Sequence, residues 1–146
     1  MGRQDYLLLN MHTRGTVVPE TETEARERYE RLGPVAQTVV REVAKAMAFD
    51  RQEYGERVTA EVVERARNAM FGSELAVTVG TREDFEDWSA DYDGEVTVFG
   101  NEHVDNVAWH EAGFGAAVAT TFQHEEDAAV ETLRRQAFGH LYRDVV

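Results

Sequence analysis

His103, His110 and His124 are the residues best placed to do chemistry. They lie in the second half of the chain, with Glu102, Glu111, Glu125 and Glu126 nearby. Two or three imidazoles and a carboxylate can hold zinc or another divalent cation and leave a position open for water. Such a site would make a metal-dependent, hydrolase-like enzyme. The spacing contains no H-E-x-x-H pair and matches no other zinc pattern. Surface histidines beside surface acids are the plainer reading and the preferred one. The leading expectation therefore carries no cofactor, and the alternative carries a divalent metal.

The remaining motifs are weaker. Asp91-x-Asp93-Gly94 invites comparison with a calcium loop, but Gly100 then falls where a bidentate glutamate is required, so a turn is the better assignment. Gly113-Phe114-Gly115 is followed by no lysine–serine or lysine–threonine pair and reads as a hairpin turn. Ser73 and Ser89 are the only serines, and neither sits in a G-x-S-x-G elbow. The absence of cysteine removes thiol catalysis, disulfides and thiolate zinc sites. Trp109-His110-Glu111 sets a large aromatic beside a titratable ring, and strand alternation assigns Trp109 to a core. Arg134, Arg135 and Arg143 form the densest basic cluster. An acidic partner or a phosphate group would suit them, although neutralisation of Glu126, Asp127 and Glu131 on the same helix is the preferred account.

The elements that position these residues follow from periodicity. Residues 1–10 read as an extension ahead of the domain, and residues 12–20 as a loop or short extended segment. Thr21-Glu22-Thr23-Glu24 is a capping box. It starts a helix with Ala25, Tyr29 and Leu32 on one face, ended by Gly33. Pro34 opens a second helix to about residue 48. There the stripe Val35, Val39, Val43 and Met47, widened by Val40, Ala36 and Ala44, is expected to be the hydrophobic centre of this half. Asp50 caps a short turn of helix. Thr59 caps another to about Phe71, with Val62, Val63, Ala66 and Met70 inward and Gly72 as the stop. Leu75, Val77 and Val79 alternate as a strand does. Thr81 begins a short acidic helix with Phe85 and Trp88, and Asp93-Gly94 leads into a strand over Glu95–Phe99. Val107–His110 and Ala116–Phe122 form a hairpin. A last helix, about 125–144, carries Val130, Leu133, Ala137, Phe138, Leu141, Tyr142 and Val145 in one apolar band. The expected fold is α+β in a single domain over 1–146. Helices occupy 21–72. A small, mostly antiparallel sheet of three or four strands and a closing C-terminal helix occupy 74–146.

Composition bounds the setting. The chain has 146 residues and carries 28 acids against 15 bases, a net charge of -13. Lys45 is its only lysine, and isoleucine is absent. With 42% apolar residues spread through every segment, the acids must coat a folded core. That coat repels itself in dilute buffer, whereas at 1 M salt the Debye length falls to about 3 Å. A cytoplasmic protein of an extreme halophile is the expectation. The charge argues against nucleic acid and anionic membrane as partners, and no apolar run reaches the length of a membrane span.

Three stretches carry a resemblance: Arg31-Leu32-Gly33-Pro34-Val35-Ala36-Gln37-Thr38-Val39-Val40-Arg41-Glu42-Val43-Ala44-Lys45-Ala46-Met47, Val107-Ala108-Trp109-His110, and Thr132-Leu133-Arg134-Arg135-Gln136-Ala137-Phe138-Gly139. From about residue 11 onward the chain resembles an uncharacterised protein family of extremely halophilic archaea. The resemblance implies the salt-rich setting and implies no activity, substrate or catalytic residue.

The leading functional expectation is a small interaction or accessory protein without catalytic activity, bound to a protein partner or to itself as a homodimer. Arg134, Arg135, Phe138 and Tyr142 on the last helix are the expected contact surface. Charge screening supplies the test. Dialysis into near-pure water should abolish the native circular dichroism spectrum. An unchanged spectrum and melting curve there would contradict the halophilic assignment.

Overall fold

A computed structural model describes residues 11–146; the extension assigned to residues 1–10 lies outside them. The elements in chain order are β1 (His12–Arg14), α1 (Glu22–Ala46), α2 (Arg51–Arg57), α3 (Ala60–Ser73), β2 (Val77–Thr81), α4 (Arg82–Ala90), β3 (Glu95–Phe99), β4 (Asn106–Ala112), β5 (Ala116–Phe122) and α5 (Glu126–Ala137). The last helix runs on into a single π-helical turn, Phe138–Tyr142.

The five strands form one sheet in the order β1-β2-β4-β5-β3. Its pairs are antiparallel except β5 with β3, which is parallel. The fold is thus α+β with a mostly antiparallel sheet. There are five strands rather than three or four, because the short segment His12–Arg14 pairs with Val77–Val79 as an edge. The short helix expected from Thr81 interrupts the strands. The stretch β2-α4-β3 is a crossover between parallel strands, and the β4–β5 hairpin fills the gap it leaves.

Alternation along the strands gives the sheet two apolar faces. Val77, Val79, Ala108, Ala112 and Val118 face the helices, where they meet Ala25, Phe71, Leu75, Val130, Leu133, Ala137, Phe138 and Tyr142. Phe71 is the hub of this core. Its ring lies edge-on to Tyr29, Phe138 and Tyr142 at 6.0, 5.8 and 5.1 Å between centroids. On the opposite face Val107, Trp109 and Ala119 pack under Phe85 of α4, with Trp88 and Val96. The core position expected for Trp109 is where it lies.

The caps follow the sequence closely. Thr21 Oγ1 accepts from the Glu24 amide at 3.0 Å, Asp50 from Glu53 at 2.8 Å and Thr59 from Val62 at 3.2 Å. Thr81 and Asp84 form a reciprocal capping box on α4.

The largest departure is at Gly33-Pro34. One helix of 25 residues runs straight through it. Proline there removes one ladder bond and costs about 3 kcal/mol in a helix interior. Arg67 of α3 braces the turn just before it. Its guanidinium sits 4.0 Å over the Tyr29 ring, and its Nε donates to the Tyr29 carbonyl at 2.8 Å. Continuity also rotates the expected core stripe outward. Ala25, Ala36 and Ala44 are the buried positions of α1. Val35, Val39, Val43 and Met47 are instead 46%, 43%, 53% and 61% exposed. The reason is the helix's partner. Its distal half packs on α3 through Ala36 and Ala44, and the valines face away from that contact. The short α2, which buries no residue, joins the two.

Candidate interaction surface

The three histidines are not brought together. His110 lies mid-way along β4, opposite Val118 and fully enclosed. His103 is in the loop before β4, its amide bonded to the Asn101 side chain at 2.8 Å. His124 follows β5. Asn106 pairs with Phe122, so His103 and His124 flank one end of the hairpin, four residues along β4 from His110. Among the described residues no three His, Asp or Glu side chains are grouped to hold a metal ion.

The ring of His110 is saturated. Nδ1 lies 2.7 Å from the Ala76 carbonyl, which can only accept, so Nδ1 carries the proton. Nε2 then accepts from the Tyr142 hydroxyl at 2.6 Å. This pair links β4, the residue ahead of β2 and the π turn inside the core. Burial pulls the His110 pKa down to about 4; the bond to Ala76 opposes that shift and the Arg134 charge adds to it. Burial likewise raises the Tyr142 pKa. Both groups are therefore neutral near pH 7.

The serines are also engaged with their own helices. Ser73 donates to the Met70 carbonyl at 2.9 Å, and Ser89 to Glu86 at 3.2 Å. A cleft of about 700 Å³ opens on the α4 face of the sheet, lined by Trp88, Trp109, Thr78, Asp84, Asp87 and Glu111. Its ionisable groups are all acids, and Asp84 already caps α4.

The arginine cluster is divided by role. Arg134 donates to the Leu75 carbonyl at 3.1 Å and the Arg14 carbonyl at 3.2 Å, tying α5 to the start of β2 and to β1. Gly15, at φ +88°, permits this approach: a Cβ there would lie 2.6 Å from the Arg134 guanidinium. Arg135 reaches Thr132 at 3.4 Å, and Arg143 lies 5.8 Å over the Phe138 ring. The pairing with acids of their own helix does not form. Glu126 and Asp127 instead bond Arg14 at 3.2 and 2.7 Å, fastening β1 to α5. Arg135 and Arg143, with Arg65, line a groove between α3 and α5. Tyr142 and Phe138 are buried in the core. They complete its aromatic cluster, so neither is available to a partner as expected.

The exposed apolar surface lies elsewhere. Of nine large apolar side chains exposed among the described residues, six fall between Val35 and Val62: Val35, Val39, Val43, Met47, Tyr54 and Val62. The first four recur at every fourth residue along the distal half of α1 and its C-cap and form one ridge. Periodicity found this ridge and misassigned it, because an apolar stripe looks the same whether its cover lies within the chain or outside it. Of the expected stripe, only the flanking Ala36 and Ala44 are buried.

The buried pair gives a pH test. Unfolded His110 takes a proton below about pH 6.5, and folded His110 not until about pH 4. Its contribution is complete above pH 6.5 and is lost as pH falls toward 4. That difference corresponds to about 3 kcal/mol. Denaturant unfolding at pH 7 and 4.5 in constant salt should show a smaller acid loss for His110→Gln than for the native chain. Equal losses would contradict the assignment.

Comparison with known proteins adds a family and no activity. No curated protein and no solved structure matches the chain. Residues 16–143, nearly all of the described structure, match DUF5809, and the chain belongs to this family of unknown function.

Proposed function

We propose that this chain is a non-catalytic interaction protein working in concentrated salt, and that its working surface is the Val35–Val39–Val43–Met47 ridge. The observation that carries the reading is the exposure of that ridge on the side of α1 turned away from Ala36 and Ala44. Valines hold few rotamers, so ordering them against a partner loses little entropy. A convex ridge suits the groove or helix of another protein, whereas small molecules bind in concave sites. The charge pattern agrees. From Arg31 to Met47 the chain carries Arg31, Arg41 and Lys45 against Glu42 alone, three minus one giving +2 on a molecule of -13. The acidic coat that isolates the rest of the surface is missing here.

The alternative to a contact surface is an internal role in stiffening the helical arm. The triple variant Val35→Gln, Val39→Gln, Val43→Gln separates the two. A contact surface predicts that the dilute variant unfolds within about 0.5 kcal/mol of the native chain, as exposed positions do. A loss above about 2 kcal/mol would make the ridge part of the core and overturn the proposal.

A further inference from the structure

We propose that the groove between α3 and α5 is a binding site for the phosphate group of a small phosphorylated molecule. The site lies apart from the valine ridge and does not depend on it.

The groove encloses about 460 Å³, a size suited to a small ligand. Arg65, Arg134, Arg135 and Arg143 line it against Glu131 alone, four minus one giving +3 on a molecule of -13. The local fold sets these charges together. Arg135 and Arg143 are eight residues apart in sequence, which an unbroken α-helix would leave about 80° apart around its axis. The π turn takes up one extra residue and closes with the Arg143 amide on the Phe138 carbonyl at 2.9 Å. That residue brings Arg143 back toward the face that carries Arg135. Gly139 stands between them, and a Cβ there would meet nothing within 4 Å. Two guanidiniums thus flank a position that has no side chain.

Two of the four arginines are committed elsewhere. Arg134 holds the Leu75 and Arg14 carbonyls, and Arg65 is shared with Glu61 at 2.9 Å. Arg135 reaches only Thr132 Oγ1, at 3.4 Å, and Arg143 only the Phe138 ring. Neither of these two forms an ion pair among the described residues. Asn68 of α3, also in the lining, accepts from the Tyr29 hydroxyl at 2.5 Å through Oδ1. Its NH2 group remains as a further donor.

Charge and geometry narrow the ligand. Two guanidiniums without acids match the two negative charges of a phosphate monoester, and its oxygens fit their forked donors. A carboxylate carries one charge and would leave one guanidinium over. A nucleic acid would have to run on past Glu61 and Glu131 across an anionic surface. Arginine contacts are directional hydrogen bonds as well as charges, so they survive where salt screens charge alone. Ala69 and the arginine stems give the body of the ligand apolar contact.

Phenyl phosphate is the probe, and benzoate is a monoanion of similar body. Calorimetry on the full chain in constant molar salt should give phenyl phosphate a Kd of about 1 mM or tighter. Benzoate should bind at least about tenfold more weakly. Arg135→Gln combined with Arg143→Gln should weaken phenyl phosphate at least about tenfold. Arg51→Gln, an equally exposed charge on α2, should leave it unchanged. Gly139→Leu keeps every charge but fills the gap, so it should weaken binding without lowering the melting temperature. No binding at about 20 mM, equal binding of benzoate, or an equal loss in Arg51→Gln would each overturn the proposal. Full affinity in the double arginine variant or in Gly139→Leu would overturn it too.

Discussion

Self-repulsion of the anionic surface is the constraint under which the rest of the structure operates. A charge of -13 on 146 residues leaves few places where this molecule can touch another without placing acid against acid. It also limits what ion pairs can do internally. Most of those that form are exposed, and such pairs contribute little singly. The exception in role is the set around Arg14, which holds the edge strand β1 to α5 through Glu126 and Asp127. Burial of apolar and aromatic surface on both faces of the sheet therefore supplies the stability, and the charges decide where contact with other molecules is possible.

Two polar links, one buried at His110 and one half-buried at Arg134, keep the pieces in register. His110 joins the Ala76 carbonyl to the Tyr142 hydroxyl, so a fixed tautomer connects the sheet to the π turn. Arg134 reaches two backbone carbonyls, at Leu75 and Arg14, from the far end of the chain. Each satisfies groups that would be costly to bury alone. Both residues looked like site candidates because histidine and arginine are the usual carriers of chemistry. Here every hydrogen-bonding atom of the imidazole is used by the fold.

Much of the architecture was legible in the residues. The caps at Thr21, Asp50, Thr59 and Thr81, the bounds Glu95–Phe99 of β3 and the hairpin around Gly113-Phe114-Gly115 are local signals that tertiary packing did not override. What could not be read was non-local. The helix runs on through the break expected at Gly33-Pro34, beside a contact from Arg67, 33 residues beyond Pro34, to the Tyr29 carbonyl. The edge strand at His12–Arg14 exists only because β2 offers it a partner. The burial of Phe138 and Tyr142, and the exposure of Val39 and Val43, depend on which element covers each helix face. Periodicity identifies an apolar face but not what covers it.

The valine face of α1 thus distinguishes an apolar core from an apolar contact. Thiol labelling of Val39→Cys in the dilute chain in molar salt reads the difference most directly. That thiol should react readily, while one introduced at Val118 of β5 should be protected, because Val118 is buried within the chain. Equal protection at the two positions would place the ridge inside the fold and contradict the account.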